Sequence, residues 1–295
     1  MKVSIELENN HYIVNTDFSF SAAIPLEFNA EQPNHFQADV AEKSPMAAGD
    51  FIGDTEQGGS CNVNIVTLNP HCNGTHTESI AHICDSSAEL SLPIGAITPP
   101  PLMPCVLVSV SPTTFCRNID GDFDDSVGGT NVGDTRDSYT PDFIDGDQII
   151  TRQQLVNRLD SFSNAQLRAV AIRTLPNAHE KQHRAYDADN QPAFFSREAI
   201  LYLNERGVEH LLTDLPSIDR LHDDGLLTCH HLFWQVPEGI HQPTTNSLIN
   251  KTITELAYFD DVLTDGFYFI NLQLTAWIND ATPSHPVFYA AEKQQ

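Results

Sequence analysis

Residues 71–82 read His71-Cys72-Asn73-Gly74-Thr75-His76-Thr77-Glu78-Ser79-Ile80-Ala81-His82, and these positions hold three imidazoles, a thiol and a carboxylate. They follow directly on Val63–Leu68, a run that reads as a strand. A rigid strand end that delivers neutral nitrogens and a carboxylate to one point is how a protein holds a divalent transition metal. A metal held that way turns water into a nucleophile at neutral pH. The chain is therefore expected to fold so that stiff strand ends converge, and a metal-dependent hydrolase is the first functional expectation.

The spacing within the segment adds detail. His76 and Glu78 stand two apart, so an extended backbone puts them on the same side. His82 lies four beyond Glu78, and one turn of helix after the strand swings it back over the site. Gly74 lets the backbone approach an ion closely. The chain has 13 histidines, so some clustering is expected of surface or core residues. Three of them with a glutamate around a Gly-Thr turn is denser than chance, and such clusters mark sites.

Bulk properties exclude several classes. A hydrophobic fraction of 40% over 295 residues suffices for a sizeable core. Forty acidic residues against 15 basic ones leave a formal charge of -25. Nucleic acid and anionic membranes repel such a surface. A solvated acidic exterior explains the charge better than steering of a cationic substrate. No apolar run approaches the roughly 18 to 20 residues that span a bilayer. The first ten residues lack the apolar core of a secretory signal. The cysteines Cys61, Cys72, Cys84, Cys105, Cys116 and Cys229 are scattered, with no C-x-x-C pair. That usage suits reduced thiols in a cytoplasm. Only Cys72 sits among candidate ligands.

The pattern along the chain is mixed α/β. Residues 1–60 read as short strands and loops, and Cys105–Val110 as a strand covered on both faces. Residues 117–147, rich in Asp, Gly, Ser and Thr, read as an acidic surface loop insertion. Asp120–Asp125 begins like a calcium loop, but the Gly and Glu that loop needs are Asp125 and Asn131 here. Thr151 and Gln154 form a capping box ahead of a helix to about Leu159. Ala169–Ile172 is a strand, Ser196 caps a helix over Arg197–Arg206, and Val208–Thr213 is a strand again. From Ile253 to Phe288 the alternation is that of antiparallel sheet. No linker divides the chain, so residues 1–295 are expected to form a single domain.

Residues 74–82, Gly-Thr-His-Thr-Glu-Ser-Ile-Ala-His, resemble the H-x-G-T-H-x-D-x-x-x-H signature of the metal-dependent cyclase-like hydrolases, a family that includes bacterial kynurenine formamidase and isatin hydrolase. Asp214-Leu215-Pro216-Ser217-Ile218-Asp219 is similar to that family's D-x-P-S-x-D segment. His230 and His231 fall where the family has a further ligand histidine, and Glu255-Leu256 where it has a ligand glutamate. The order holds from about Ile24 to Tyr289. The resemblance implies an α/β fold, a single swivelling β/β/α-type domain with a mixed sheet core, and a homodimer or larger assembly. It implies one or two zinc ions, or alternatively manganese. His76 becomes a ligand, Glu78 a bridging carboxylate, and His230 and Glu255 complete the set. His230 is preferred over His231, because one imidazole of an adjacent pair faces a given site. His82 becomes the general acid/base, since an imidazole exchanges protons near neutral pH.

Two departures from the signature matter. Where the family has its first histidine the chain has Cys72, and His71 comes one residue early. Cys72 is expected as the ligand, since a thiolate binds zinc well; His71, brought in by a bulge, is the alternative. The family's aspartate is Glu78 here, which displaces the carboxylate by about 1.5 Å. Asp214 and Asp219 read as turn-stabilising residues, and Phe233 and Trp234 as core or pocket wall. The implied activity is arylformamidase-like hydrolysis of a small amide, with N-formylkynurenine of tryptophan catabolism or a cyclic amide as candidate substrate. A metal-binding member without hydrolytic activity and a cyclase or dehydratase of a small metabolite are the rival readings.

Overall fold

The structure is a computed structural model and describes residues 1–116 and 137–294. The chain opens with the antiparallel hairpin β1 (Lys2–Leu7) and β2 (Asn10–Asn15), then the short strands β3 (Phe20–Ser21) and β4 (Asn34–His35). An arm follows, in which β5 (Glu42–Pro45) pairs with β8 (Asn64–Thr67) and β6 (Ala47–Ala48) with β7 (Phe51–Ile52). A single turn of helix, α1 (Pro70–Asn73), leads into β9 (His76–Glu78) and a 3-10 turn over Ile80–His82. Next come β10 (Met103–Val110), β11 (Thr113–Thr114), β12 (Gln148–Ile150) and helix α2 (Arg152–Leu159). They are followed by β13 (Ala169–Thr174), β14 (Ala185–Tyr186), β15 (Phe194–Phe195), α3 (Arg197–Glu205), β16 (His210–Thr213) and α4 (Thr228–Trp234). The chain ends with β17 (Thr252–Glu255), β18 (Gly266–Asn271), β19 (Ala281–Pro283) and β20 (Val287–Lys293).

The main sheet runs β1-β2-β20-β18-β10-β13-β16-β17-β9-β19, with β3 beside β20. Its centre, β10-β13-β16-β17, is parallel, and both flanks are antiparallel. The sequence dictates this layering. Every residue of β13 and β16 is buried, as their apolar centres, Ala169–Ile172 and Leu211-Leu212, require when both faces are covered. Val106, Val108, Val170, Ile172 and Leu211 pack under α2, α3 and α4, through Leu155, Ile200, Leu203, Phe233 and others. The alternate residues Cys105, Leu107, Ala171 and Leu212 pack on the opposite face, against Phe259, Ile270 and Phe288. The mixed α/β class and the mixed sheet core are thus as expected.

Local signals held where side chains make the structure. Thr151 and Gln154 form the reciprocal capping box of α2, and the Ser196 hydroxyl accepts from the Ala199 amide at the start of α3. Gly207 takes φ +73 just past the end of α3. Two expectations need correction. Residues 64–67 are a strand, but one in the exposed arm, where all four are exposed. The strand that carries His76 and Glu78 is the separate β9. Pro70 at the start of α1, with the Asn69 side chain accepting from the His71 amide, turns the backbone between them. The expected acidic insertion lies partly outside the described residues, at 117–136, and Asp120–Asp125 with it. Residues 137–147 are loop with Ser138, Asp142 and residues 144–146 exposed, but Tyr139 and Phe143 anchor it in the core, and Asp147 pairs with Arg220 at 2.6 Å.

Strand β9 is the piece that positions the site. It lies between β17 and β19, with His76 opposite Glu255 and Glu78 opposite Ala281. Thr75 ties its entry: the hydroxyl donates to the Leu256 carbonyl at 2.5 Å and accepts from the Ile24 amide at 2.9 Å. Thr75→Val strands both partners in the interior and is expected to lower unfolding free energy by about 2 to 3 kcal/mol. Thr75→Ser, which keeps the hydroxyl, is expected to lose about 1 kcal/mol or less. Urea unfolding of both variants is the check, and equal stabilities would show that the hydroxyl is not the tie.

Candidate metal centre

Five elements deliver side chains to one point. β9 brings His76 and Glu78, α1 brings His71, the 3-10 turn brings His82, and the first turn of α4 brings His230. Glu255 comes from the end of β17. Among the described residues, three groups of potential ligand atoms each lie within 4.8 Å of one another: His71, His76 and Glu78; His71, His82 and Asp280; and Glu78, His82 and His230. Glu78 is the hub, with Oε1 at 2.8 Å from His230 Nε2 and Oε2 at 3.3 Å from His71 Nδ1 and 3.7 Å from His82 Nε2. Glu255 Oε2 is 3.5 Å from His76 Nε2, and its Oε1 is 3.7 Å from His230 Nε2. The four expected residues His76, Glu78, His230 and Glu255 therefore meet. His82 is swung back by its turn, as the four-residue spacing predicts.

The structure places His71, and not Cys72, among the ligating atoms. Successive residues of a helical turn point about 100° apart, so α1 can aim only one of the two at Glu78. Cys72 is buried and belongs to none of the three groups. Burial also raises its thiol pKa, which disfavours the thiolate that a metal needs. The same rotation separates the other doublet. His231 Nδ1 donates to the Val236 carbonyl at 3.2 Å, and its ring packs near His241 instead. Phe233 and Trp234 are both core, with Trp234 backing the His230 ring at 5.6 Å.

The two aspartates of residues 214–219 have different roles. Asp214 forms a buried ion pair with Lys181 at 2.8 Å, away from the cluster. Asp219 is more than a turn residue. It accepts from Tyr139 Oη at 2.6 Å, from the Cys229 and His230 amides at 2.7 and 3.1 Å, and from His230 Nδ1 at 2.5 Å. It thereby caps α4 and turns the His230 Nε2 lone pair toward Glu78, the carboxylate–histidine arrangement that accompanies metal ligands. Asp280 is a site residue that the sequence did not point to. Its Oδ2 lies 2.7 Å from His71 Nε2 and 3.5 Å from His82 Nδ1. Nothing marks it among 40 acidic residues. The pairing of Ala281 with Glu78 brings it there.

The electrostatics call for a cation. Burial disfavours charge on Glu78, but the charges of His82 and His230 hold it well below the usual carboxylate range. Burial opposes charge on His71, yet hydrogen bonds to Asp280 and Glu78 raise its pKa to about 10. Burial likewise opposes charge on His230, and Glu78 and Asp219 overcome it and raise its pKa well above the ordinary value. Hydrogen bonds from His71 and His82 hold Asp280 far down. Within the cluster, two buried polar atoms have no hydrogen-bond partner among the described residues: His76 Nε2 and Glu78 Oε2. An orphaned buried polar atom costs about 1 to 3 kcal/mol. A divalent cation bound by these imidazole and carboxylate atoms satisfies both, and the donor set suits zinc or manganese. The residues present fit a metal ion.

The family model "Cyclase", described as "Putative cyclase", matches residues 4–220. No curated protein sequence matches this chain. Solved structures do share the fold. A "novel cyclase" aligns with TM-score 0.58 and 14% identity, covering 94% of this chain and 90% of that one. Isatin hydrolase A from Labrenzia aggregata aligns with TM-score 0.55 and 13% identity, covering 93% and 94%. A "predicted metal-dependent hydrolase" from Bacillus stearothermophilus aligns with TM-score 0.54 and 15% identity, covering 92% and 98%.

In the metal-free protein, protons on His71 and His230 occupy the place of the cation. Both imidazoles have raised pKa values, so a metal must displace protons, and apparent affinity is expected to rise with pH from about 6 to about 9. The metal-free fold has the opposite dependence. A group raised from 6.5 to about 10 in the fold stabilises it fully below the lower value, and that stability is lost as pH rises through the upper one. The melting temperature without metal is expected to fall across that window. Metal titration against a chromophoric chelator and melting curves at several pH values test the pair. Affinity that does not change with pH would refute the proton competition.

Proposed function

The chain belongs to the cyclase family, whose model spans most of it, and from that premise we propose that it is a metal-dependent hydrolase of a small amide. The observation that carries the reading is the partly exposed His82 beside the buried Glu78; Ala81 and Asp280, the neighbours of His82, help to line a cavity of about 330 Å³. His71, His76, Glu78, His230 and Glu255 would hold one or two ions. We assign zinc, with manganese as the alternative. When bound, the ion supplies Lewis acidity, which polarises a scissile carbonyl and eases deprotonation of water.

The chain's own residues divide the remaining work. Asp280 accepts from His82 Nδ1, which leaves the Nε2 lone pair, the atom 3.7 Å from Glu78, to take up a proton. His82 then returns that proton to the leaving nitrogen. Its side chain is 25% exposed whereas Glu78 and His76 are fully buried, so it alone of the three is in contact with solvent. Asp219 orients His230. Ser91 lines the cavity, and its buried hydroxyl has no partner among the described residues, so it offers a hydrogen bond to the substrate carbonyl. The cavity admits a small molecule, and Pro93 and Ile278 give it apolar walls. An aryl formamide such as N-formylkynurenine fits these requirements. So does a cyclic amide, the substrate type in the name of the isatin hydrolases that share the fold. The free thiols support a cytoplasmic location.

His82→Ala is expected to lower kcat by about 100-fold or more while binding the same amount of metal. Cys72→Ser is expected to keep both. Aryl formamide hydrolysis followed by absorbance, with metal content measured in parallel, distinguishes these outcomes. Turnover near that of the parent in His82→Ala would remove the proton shuttle. Absence of turnover on aryl formamides and cyclic amides by the metal-loaded parent would remove the hydrolase reading.

A homodimer is part of the proposal. The arm built from β5 to β8 exposes Met46, Ile65 and Val66, at 39%, 57% and 51%. A two-stranded ribbon of this kind is marginal alone in water, and a second copy of the chain is its proposed cover. Ile65→Asp with Val66→Asp is expected to convert the dimer to a monomer in light scattering. A monomeric parent would refute the assembly.

A further inference from the structure

The parallel strands β10, β13 and β16 end side by side. Just beyond them, Pro112, Leu175 and Leu215 help to enclose a second cavity, of about 440 Å³. The carboxyl ends of parallel strands are where sheets of this kind take ligands, and the volume lies in the range of small-molecule sites. The cavity shares no lining residue with the metal cluster.

Its chemistry reverses that of the chain. The protein has 40 acidic and 15 basic residues, yet among the described residues no Asp or Glu lines this cavity, while Lys181 and Arg184 do. The two cations are not equivalent. Lys181 spends its ammonium hydrogens on the Thr174 carbonyl, the Thr174 hydroxyl and Asp214, and so cancels the charge of Asp214. Among the described residues no carboxylate pairs with Arg184. Its guanidinium lies over the Tyr186 ring, 6.0 Å from the centroid. No hydrogen bond between described residues engages the Tyr186 hydroxyl or the Asn190 side-chain amide, and both residues line the cavity. A fork of guanidinium N–H groups, a phenol and an amide therefore face a pocket whose other walls include Pro176, Pro192 and Leu215.

We propose that this cavity binds a small organic carboxylate, with Arg184 as its bidentate partner, Tyr186 and Asn190 as additional donors, and the organic body against the apolar wall. A guanidinium matches a planar carboxylate in two parallel hydrogen bonds. The proline and leucine wall favours an organic acid over free phosphate, which has no apolar part to place there. The site is independent of the hydrolase reading and stands or falls separately from it.

Isothermal titration of the intact, metal-loaded protein at constant ionic strength tests it, with benzoate, its uncharged analogue benzamide and inorganic phosphate as probes. Benzoate is expected to bind saturably with one site per chain. Benzamide is expected to bind about tenfold or more weakly, since a charged hydrogen-bonded pair is lost. Arg184→Gln is expected to weaken benzoate by about the same factor, and Arg184→Lys by less, because a lysine keeps charge without the fork. Asn190→Asp, an exposed position whose change leaves the fold intact, puts a negative charge at the cavity and is expected to weaken benzoate as well. Glu78→Gln is expected to leave benzoate binding unchanged, which separates this site from the metal centre. The proposal is overturned by absence of saturable benzoate binding or by unchanged affinity in Arg184→Gln and Asn190→Asp. Loss of binding in Glu78→Gln, or binding of phosphate without benzoate, overturns it equally.

Discussion

The site depends on the antiparallel pairing of β9 between β17 and β19. Three segments far apart in the chain meet there, with His76 facing Glu255 in one register and Glu78 facing Ala281 in the other. A strand held on both edges cannot shift by one residue without sending its alternate side chains to the other face. His76 and Glu78 therefore point the same way by necessity, and the site inherits the rigidity of the sheet.

That rigidity maintains a charge arrangement which would otherwise relax. Glu78, Glu255 and Asp219 are buried and stay close together. Isolated carboxylates in such surroundings would take up protons. Here each is matched by an imidazole at hydrogen-bond or ion-pair distance. Asp219 shows how folding and site chemistry share one group. The same carboxylate that caps the α4 amides also sets the direction of the His230 ring. A helix start needs acceptors, and a metal-ligating imidazole needs its second nitrogen fixed.

The two histidine-bearing doublets show where a linear reading reaches its limit. His230 and His231 were separable in advance only as a choice of one, which the rotation of α4 then made. At His71 and Cys72 the chemical preference for a thiolate pointed one way and the backbone went the other. Pro70 starts a helical turn there, so the residue that looked one position out of register is the one aimed at Glu78. The capping signals of α2 and α3, by contrast, were legible, because cap and partner lie within three residues.

Local chemistry settles whatever is decided within about one turn or one strand: the helix caps of α2 and α3, the buried parallel strands, the same-side placement of His76 and Glu78, and the return of His82. Those features depend on bonding and periodicity between near neighbours, and they are written in the residue order. Strand register across long separations decides the rest. The arrival of Asp280 beside His71, the exposure of the arm, and the uncompensated Arg184 at the strand ends all arise from pairings between distant segments. No periodicity in a single segment encodes such pairings, since each is fixed by the burial and hydrogen bonding that the whole sheet achieves at once.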